Sequence, residues 1–347
     1  MKYKDLYWKG ADDVIGCIPD VEKLFGKSVL VTGATGLICS TIVDLLLRLN
    51  DSREAGITAI CAGRSEERLN KRFPGYDKDR GLVFTYYDAT EDEPLKYEGP
   101  VDYIIHGASN ANPAIYMKEP VETMLSNILG LKRMLDLAKA KDAARLLYIS
   151  SSEVYGTNET TDPYSENSYG FVDILNPRAA YPSSKRAGET LCIAYGEEYG
   201  TDSVMVRPGH VYGPSVTASD NRASSEFTRK ALSGEDIVMK SKGTQLRSYC
   251  HTLDCASAIL TVLINGEKGR AYNISNPGSI CTIADIAEAI AEAGGVELKF
   301  AEASDSEKKS FNMMSNSSLR SDALEALGWR ACFPLERGVR ETLEVLR

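Results

Sequence analysis

Thr32-Gly33-Ala34-Thr35-Gly36-Leu37-Ile38-Cys39 follows a short apolar run, Ser28-Val29-Leu30-Val31, and leads into Leu37–Leu49, where apolar residues recur at helical spacing until Asn50. A brief apolar run bounded by glycine reads as a buried parallel strand, so the glycines fall on a strand-to-helix turn. Glycine there permits a tight turn and lets the backbone approach a pyrophosphate. The helix N-terminus adds unpaired N–H groups and partial positive charge. An ordinary strand-helix turn has the same composition, so the loop gains meaning only from its surroundings. Cys39 occupies the third glycine position of the usual dinucleotide loop and is small enough for helix-strand packing.

The surroundings repeat the pattern. Strands are expected at Ile57–Cys61, Leu82–Tyr87, Val101–His106, Arg145–Ser150 and Ser203–Arg207, with helices at Pro120–Lys139 and Ser183–Tyr199. Strands alternating with helices imply an α/β, Rossmann-type, doubly wound parallel sheet covered on both faces. After Gly209 the segments become shorter and more polar. Helices are expected at Ser224–Leu232, Leu253–Ile264 and Ile283–Ala293, and a strand at Gly269–Ile274. The organisation expected is therefore an N-terminal extension over 1–26, an NAD(P)-binding domain over 27–208, and a smaller substrate lobe over 209–347 interleaved with it. In the extension, Asp12-Asp13-Val14-Ile15 is read as opening a short helix, with no function attached.

Composition narrows the class. The 347 residues carry a formal charge of −9 and lack the basic footprint of a nucleic-acid binder. No run of about 18 apolar residues is present, and Met1–Gly10 lacks the apolar core of a signal peptide, so no membrane association and a cytoplasmic location are expected. The eight cysteines have no C-x-x-C spacing and read as reduced thiols. The three histidines, His106, His210 and His251, are not spaced as a metal pair, so no metal is expected.

Two further stretches carry chemistry. In Tyr181-Pro182-Ser183-Ser184-Lys185 the tyrosine and lysine are spaced to share one helix face. A tyrosine is a poor base at neutral pH, but a nearby ammonium favours the phenolate. Ser150-Ser151-Ser152-Glu153-Val154-Tyr155-Gly156 ends a strand, where open sheets of this type bind ligands. At the end of the second strand, NAD enzymes usually place an acid on the ribose hydroxyls. Here the strand offers Arg64 instead, which suits a 2′-phosphate and favours NADP over NAD, although a surface arginine reads the same. Asp88 is placed to accept from an adenine amino group, or to serve as a turn residue.

Taken in order, T-G-A-T-G-L-I (32–38), H-G-A-S (106–109), S-S-S-E-V-Y-G (150–156), Y-P-S-S-K (181–185) and R-P-G-H-V-Y-G-P (207–214) resemble the extended short-chain dehydrogenase/reductase family over about residues 27–347. The resemblance implies an enzyme with a bound nicotinamide cofactor and a nucleotide-sugar substrate. It implies Tyr181 as base, Lys185 as its partner and Ser151 as the group holding the reacting hydroxyl. Cofactor contacts are implied at Gly33, Thr35, Gly36, Leu37, Ile38, Arg64, Asp88, Ala89, Ala108, Ser109, Asn127, Tyr181, Lys185, Arg207 and Pro208. Substrate contacts are implied at Asn110, His210, Arg222 and Arg247. Ser152, Glu153 and Arg247, the last within Gly243-Thr244-Gln245-Leu246-Arg247-Ser248-Tyr249, make UDP-glucuronate decarboxylases the nearest likeness. Nucleotide-sugar 4-epimerases and 4,6-dehydratases remain alternatives, as does a non-catalytic NADP-binding sensor. Retention of Tyr181, Lys185 and Ser151 weighs against the sensor. The family likeness also implies a homodimer, with Met124, Leu131, Met134 and Leu135 offering an apolar face. The chain departs from the family pattern at Cys39, at Gly107 (where leucine is familiar), at His210 and at the missing second-strand acid.

Overall fold

The computed structural model describes residues 3–111, 113–158, 162–217, 220–302 and 314–347, with backbone alone at 113 and 114. Strands β1 (Ser28–Thr32), β2 (Thr58–Gly63), β3 (Leu82–Tyr86), β4 (Tyr103–His106), β5 (Arg145–Ile149) and β6 (Ser203–Pro208) are joined, past β7 (His210–Tyr212), β8 (Ile237–Met239) and β9 (Leu246–His251), by β10 (Ala271–Ile274). They form one seven-stranded sheet in the order β10-β6-β5-β4-β1-β2-β3. Every pairing in it is parallel, with Thr32 registered on Ala62 and on His106. The order reverses between β1 and β4, the point at which open parallel sheets form a ligand crevice at the carboxyl ends of their strands.

Alternate side chains of these strands enter opposite cores, as the pleat requires. Val29 and Val31 point to one face with Ile105, Leu147 and Val204. That face is covered by α1 (Asp5–Ile15), α2 (Leu37–Arg53) and α8 (Thr252–Asn265). Leu30, Ile60, Ile104, Leu146 and Met205 point the other way. There they meet α5 (Pro120–Ala140) and α6 (Ala180–Tyr199), which follow α3 (Glu66–Arg72) and α4 (Pro113–Lys118) in the chain.

A third apolar cluster lies under α7 (Ala223–Leu232), α9 (Ile283–Gly294) and, after α10 (Asp322–Glu325), α11 (Leu335–Leu346). Its floor is β9, which pairs with β7, with β11 (Ile280–Thr282) and, beyond β12 (Leu298–Phe300), with β13 (Asn316–Ser317). Between these strands the chain returns to the first sheet, because β10 and α8 both belong to the nucleotide-binding layers.

The N-terminal segment differs from its sequence reading. Asp12–Ile15 closes a helix that begins at Asp5, and Tyr7, Ala11, Val14 and Ile15 are all buried. Tyr7 donates to Asp44 Oδ2 at 2.6 Å, and Arg72 reaches Asp44 Oδ1 at 3.0 Å. The segment completes the core over α2 and α8. Its apolar face (Tyr7, Ala11, Val14) was legible only with the start at Asp5 in view, where Lys4 supplies no side-chain cap to announce it.

Candidate active site

The crevice is built first by glycine. Gly33 has φ of +70°, and a Cβ there would stand 3.1 Å from the Ala108 backbone, so the loop and the end of β4 close together only without a side chain. Thr32 fixes the join: its hydroxyl accepts from the Gly107 and Ala108 amides at 3.1 Å each. With both amides donating to it, the Thr32 hydroxyl donates to His106 Nδ1 at 2.9 Å, which makes His106 the Nε2–H tautomer. α2 starts at Leu37 with no side-chain cap on Gly36, and Thr35, Leu37 and Ile38 are partly exposed beside it. Uncapped first-turn amides beside a left-handed glycine suit a pyrophosphate. Ser109 Oγ and Asn127 Oδ1 are buried with no protein partner among the described residues, as groups awaiting a ligand would be. Asn127 is oriented by donating to Ser184 Oγ at 2.9 Å. These residues fit a dinucleotide.

At the adenosine end, Arg64 is 67% exposed and lies 3.9 Å from Asp88, beside Ala89. Burial raises the Asp88 carboxyl, but hydrogen bonds from Thr90 and the Arg64 and Arg133 charges outweigh it and hold the group below its usual range.

The redox end lies across the crevice. α6 buries Tyr181 and Lys185 on one face, and the ammonium stands 5.7 Å from the Tyr181 ring centroid. Lys185 donates to the Ile149 carbonyl at 2.8 Å and lies 4.7 Å above the Tyr148 ring. Burial lowers the Lys185 pKa to about 7. Ser151 caps the 3-10 turn Ser152–Tyr155 by accepting from the Glu153 amide at 3.2 Å, and also hydrogen-bonds the Tyr181 side chain. One expectation is corrected here. Burial and the Glu153 charge raise the Tyr181 phenol well above its ordinary value, against Ser151 and Arg222, and Lys185 is not among the groups that lower it.

On the sugar side, four charged or polar groups converge. Arg247, on β9, is 1% exposed, and among the described residues its hydrogen bonds go only to backbone carbonyls, Leu246 at 2.8 Å and Met314 at 2.9 Å. Its charge is felt by both Glu153 and His210. His210, on β7, has Nδ1 without a partner among the described residues, and burial together with Arg247 and Arg222 lowers its pKa to about 3. Arg222 precedes α7 and is paired with Asp220 at 2.5 Å. Glu153 accepts from the Tyr116 hydroxyl at 3.4 Å and lies 3.8 Å from Arg178. Tyr116 and Arg178 escaped the sequence reading, because a tyrosine on a six-residue helix and an arginine in a single 3-10 turn carry no spacing signal. Ser152 is buried beneath the turn, and Asn110 lies half-buried in the loop after β4.

Arg207 is a second correction. Its guanidinium grips Glu189 at 2.9 and 2.6 Å, the Tyr155 hydroxyl at 2.9 Å and the Glu166 carbonyl at 2.8 Å. With its donors engaged inside the protein it is a strut between β6 and α6, not a cofactor contact. Pro208 closes β6 beside it, buried and in register with Ile274.

The sequence model of the NAD dependent epimerase/dehydratase family matches residues 29–275. The chain belongs to the NAD dependent epimerase/dehydratase family. This family member is 33% identical to UDP-glucuronic acid decarboxylase 6 of Arabidopsis thaliana, over 90% of this chain and 86% of that one. It is 32% identical to UDP-glucuronic acid decarboxylase 1 of Xenopus tropicalis, over 92% and 72%. Its fold resembles a UDP-glucose 4-epimerase of Thermotoga maritima, with TM-score 0.76 and 23% identity over 92% of this chain and 98% of that one. It also resembles an epimerase of Methanothermobacter thermautotrophicus, with TM-score 0.80 and 20% identity over 94% of each chain. The chain is an enzyme of this family and uses a nicotinamide cofactor.

Proposed function

We propose that this enzyme takes a UDP-linked uronate through a 4-keto sugar and releases its carboxyl group as carbon dioxide. The observation that carries the reading is Arg247: a buried guanidinium that makes no ion pair among the described residues, placed within reach of the charge on Glu153. A buried cation without a carboxylate partner is costly, and an anionic ligand relieves that cost. The named decarboxylase relatives support the same reading.

A bound nicotinamide supplies the hydride acceptor and donor of the cycle. Tyr181 takes the proton of the sugar 4-hydroxyl, with Ser151 holding that oxygen and Lys185 placed at the ribose. Once C4 is a ketone, the carboxylate on C5 belongs to a β-keto acid. Its C5–carboxyl bond breaks, carbon dioxide leaves, and the electron pair passes into the C4–C5 enolate. Arg247 orients the departing carboxylate, and Glu153 positions the ring or the water that returns a proton to C5. Tyr181 then returns its proton as C4 is reduced.

The test is product mass after incubation with a panel of nucleotide sugars. Loss of carbon dioxide from UDP-glucuronate supports the reading. Unchanged mass with inversion at C4, or loss of water, replaces it with epimerisation or dehydration. Arg247→Leu sharpens it: the variant should lose the preference for UDP-glucuronate over UDP-glucose, whereas equal losses on both would assign Arg247 to the diphosphate.

Three finer readings accompany this one. Arg64, exposed and without an ion pair closer than 3.9 Å, supports tighter binding of NADP than NAD, and affinities for both at fixed salt decide it. The homodimer reading moves to a different face of α5. Leu131, Met134 and Leu135 are fully buried against the sheet, whereas Val121, Met124, Leu125 and Leu129 are exposed at helical spacing. A monomer by sedimentation at micromolar concentration would overturn it. A cytoplasmic location rests on the eight free thiols; no helix among the described residues is long and apolar enough to cross a membrane.

A further inference from the structure

Tyr116 lies on α4, a six-residue helix that runs into α5 by way of Glu119 and Pro120. It is 1% exposed. Its ring stacks on Tyr181 with centroids 5.1 Å apart and planes inclined by 12°. Its hydroxyl donates to Glu153 Oε1 at 3.4 Å. Arg178 stands 3.8 Å from the same Glu153 oxygen.

We propose that Tyr116 is a positioning residue, whose ring sets the plane of Tyr181 and whose hydroxyl, with Arg178, aims the Glu153 carboxylate into the crevice. The arrangement follows from burial. Tyr181 must present its oxygen to the sugar while its ring pivots on one side-chain torsion, and a parallel aromatic face limits that swing. Glu153 stands on a one-turn 3-10 segment, with its backbone amide already used by Ser151. Its carboxylate is therefore aimed by the groups that meet it, Tyr116 and Arg178, with Arg247 acting on it from a distance. A ring that merely filled space would do as well without its hydroxyl. The burial that raises the Glu153 carboxyl is opposed by Arg178 first, then by the Tyr116 hydroxyl and Arg247, so losing the hydroxyl moves the carboxyl further upward.

This inference deepens the reading of the same site, and its test is chosen to be read without any sugar. In Tyr116→Phe the ring stays and the hydroxyl goes. The Glu153 carboxyl is followed by carbon NMR of protein labelled at glutamate carboxyls, its signal assigned by its loss in Glu153→Gln. The midpoint is expected to rise, because a hydrogen bond that favours the charged carboxylate has been removed. With the sugar the enzyme turns over, kcat should fall about tenfold, its acid limb should move to higher pH by the same amount, and KM should change less. Tyr116→Leu, which also removes the stack, should fall at least tenfold further. An unmoved Glu153 midpoint in Tyr116→Phe overturns the hydroxyl's role. Equal activity of the Leu and Phe variants overturns the role of the stack. A failed decarboxylation assay touches neither the carboxyl titration nor this inference.

Discussion

Tyr181 and Arg207 are both buried, and each is set by the groups the fold brings to it. The Tyr181 phenol is pushed up by burial and by the Glu153 charge, so the fold by itself keeps it protonated, and its role as a base depends on what binds beside it. Tyr181→Phe removes the reacting oxygen while preserving the ring and its stack on Tyr116. Turnover should drop by about three orders of magnitude or more, with cofactor affinity and thermal stability near those of the parent. Near-normal turnover would reassign the base. Arg207 predicts the opposite pattern. It joins Glu189, Tyr155 and Glu166 within the protein, so Arg207→Leu leaves the largely buried Glu189 carboxylate without its partner. Stability should fall by about 3–5 kcal/mol, read by urea titration. A loss confined to cofactor affinity would restore Arg207 to the cofactor site.

At the scale of elements, two departures from the family pattern prove to be one. Cys39 takes the place of the third loop glycine, and Gly107 takes the place of the familiar leucine. A Cβ on Gly107 would stand 2.3 Å from Cys39 Sγ and 3.1 Å from the Ile149 side chain. The bulk added at the start of α2 is matched by bulk removed at the end of β4, so helix and strand keep their approach under the dinucleotide loop. Gly107→Leu alone should cost about 1–3 kcal/mol by overpacking and weaken cofactor binding. Cys39→Gly combined with it should recover most of both, a non-additivity expected of residues in contact. Additive losses in denaturant titration would show that the two positions are independent.

Across the whole molecule, the histidines set an acid limit. His106 and His251 are 1% and 2% exposed, and burial is the largest cause lowering each to about 3. Their folded pKa lies below the unfolded value of about 6.5. The unfolded chain therefore binds more protons as pH falls through that value, and stability is lost with them. Each histidine should cost on the order of 2 kcal/mol at pH 5 by linkage. The His106 penalty has a visible cause, since its Nδ1 already accepts from Thr32. Denaturant midpoints should fall between pH 7 and pH 5, and His106→Asn should flatten part of that slope. A midpoint constant over this range would show that these imidazoles are protonated at no cost in the folded state.

The apolar runs, the glycine loop and the 3.6-residue periodicities were enough to specify a parallel sheet with helices on both faces, because each is a local consequence of burial and backbone freedom. Local patterns also placed Tyr181, Lys185 and Ser151 at strand and helix ends, while their proposed roles came from the family resemblance. What tertiary structure decided lies at longer range. It placed α1 in the core through Tyr7 and Asp44, which no pattern in 1–26 announces. It paired Arg207 with Glu189 and, among the described residues, left Arg247 bonded only to backbone carbonyls, although both are arginines on strands. It brought Tyr116 from α4 and Arg178 from a separate turn onto Glu153. Side-chain partners far apart along the chain are chosen by how sheets and helices close on one another, and only the closed sheet and its covering helices settle which charge is paired and which waits for a ligand.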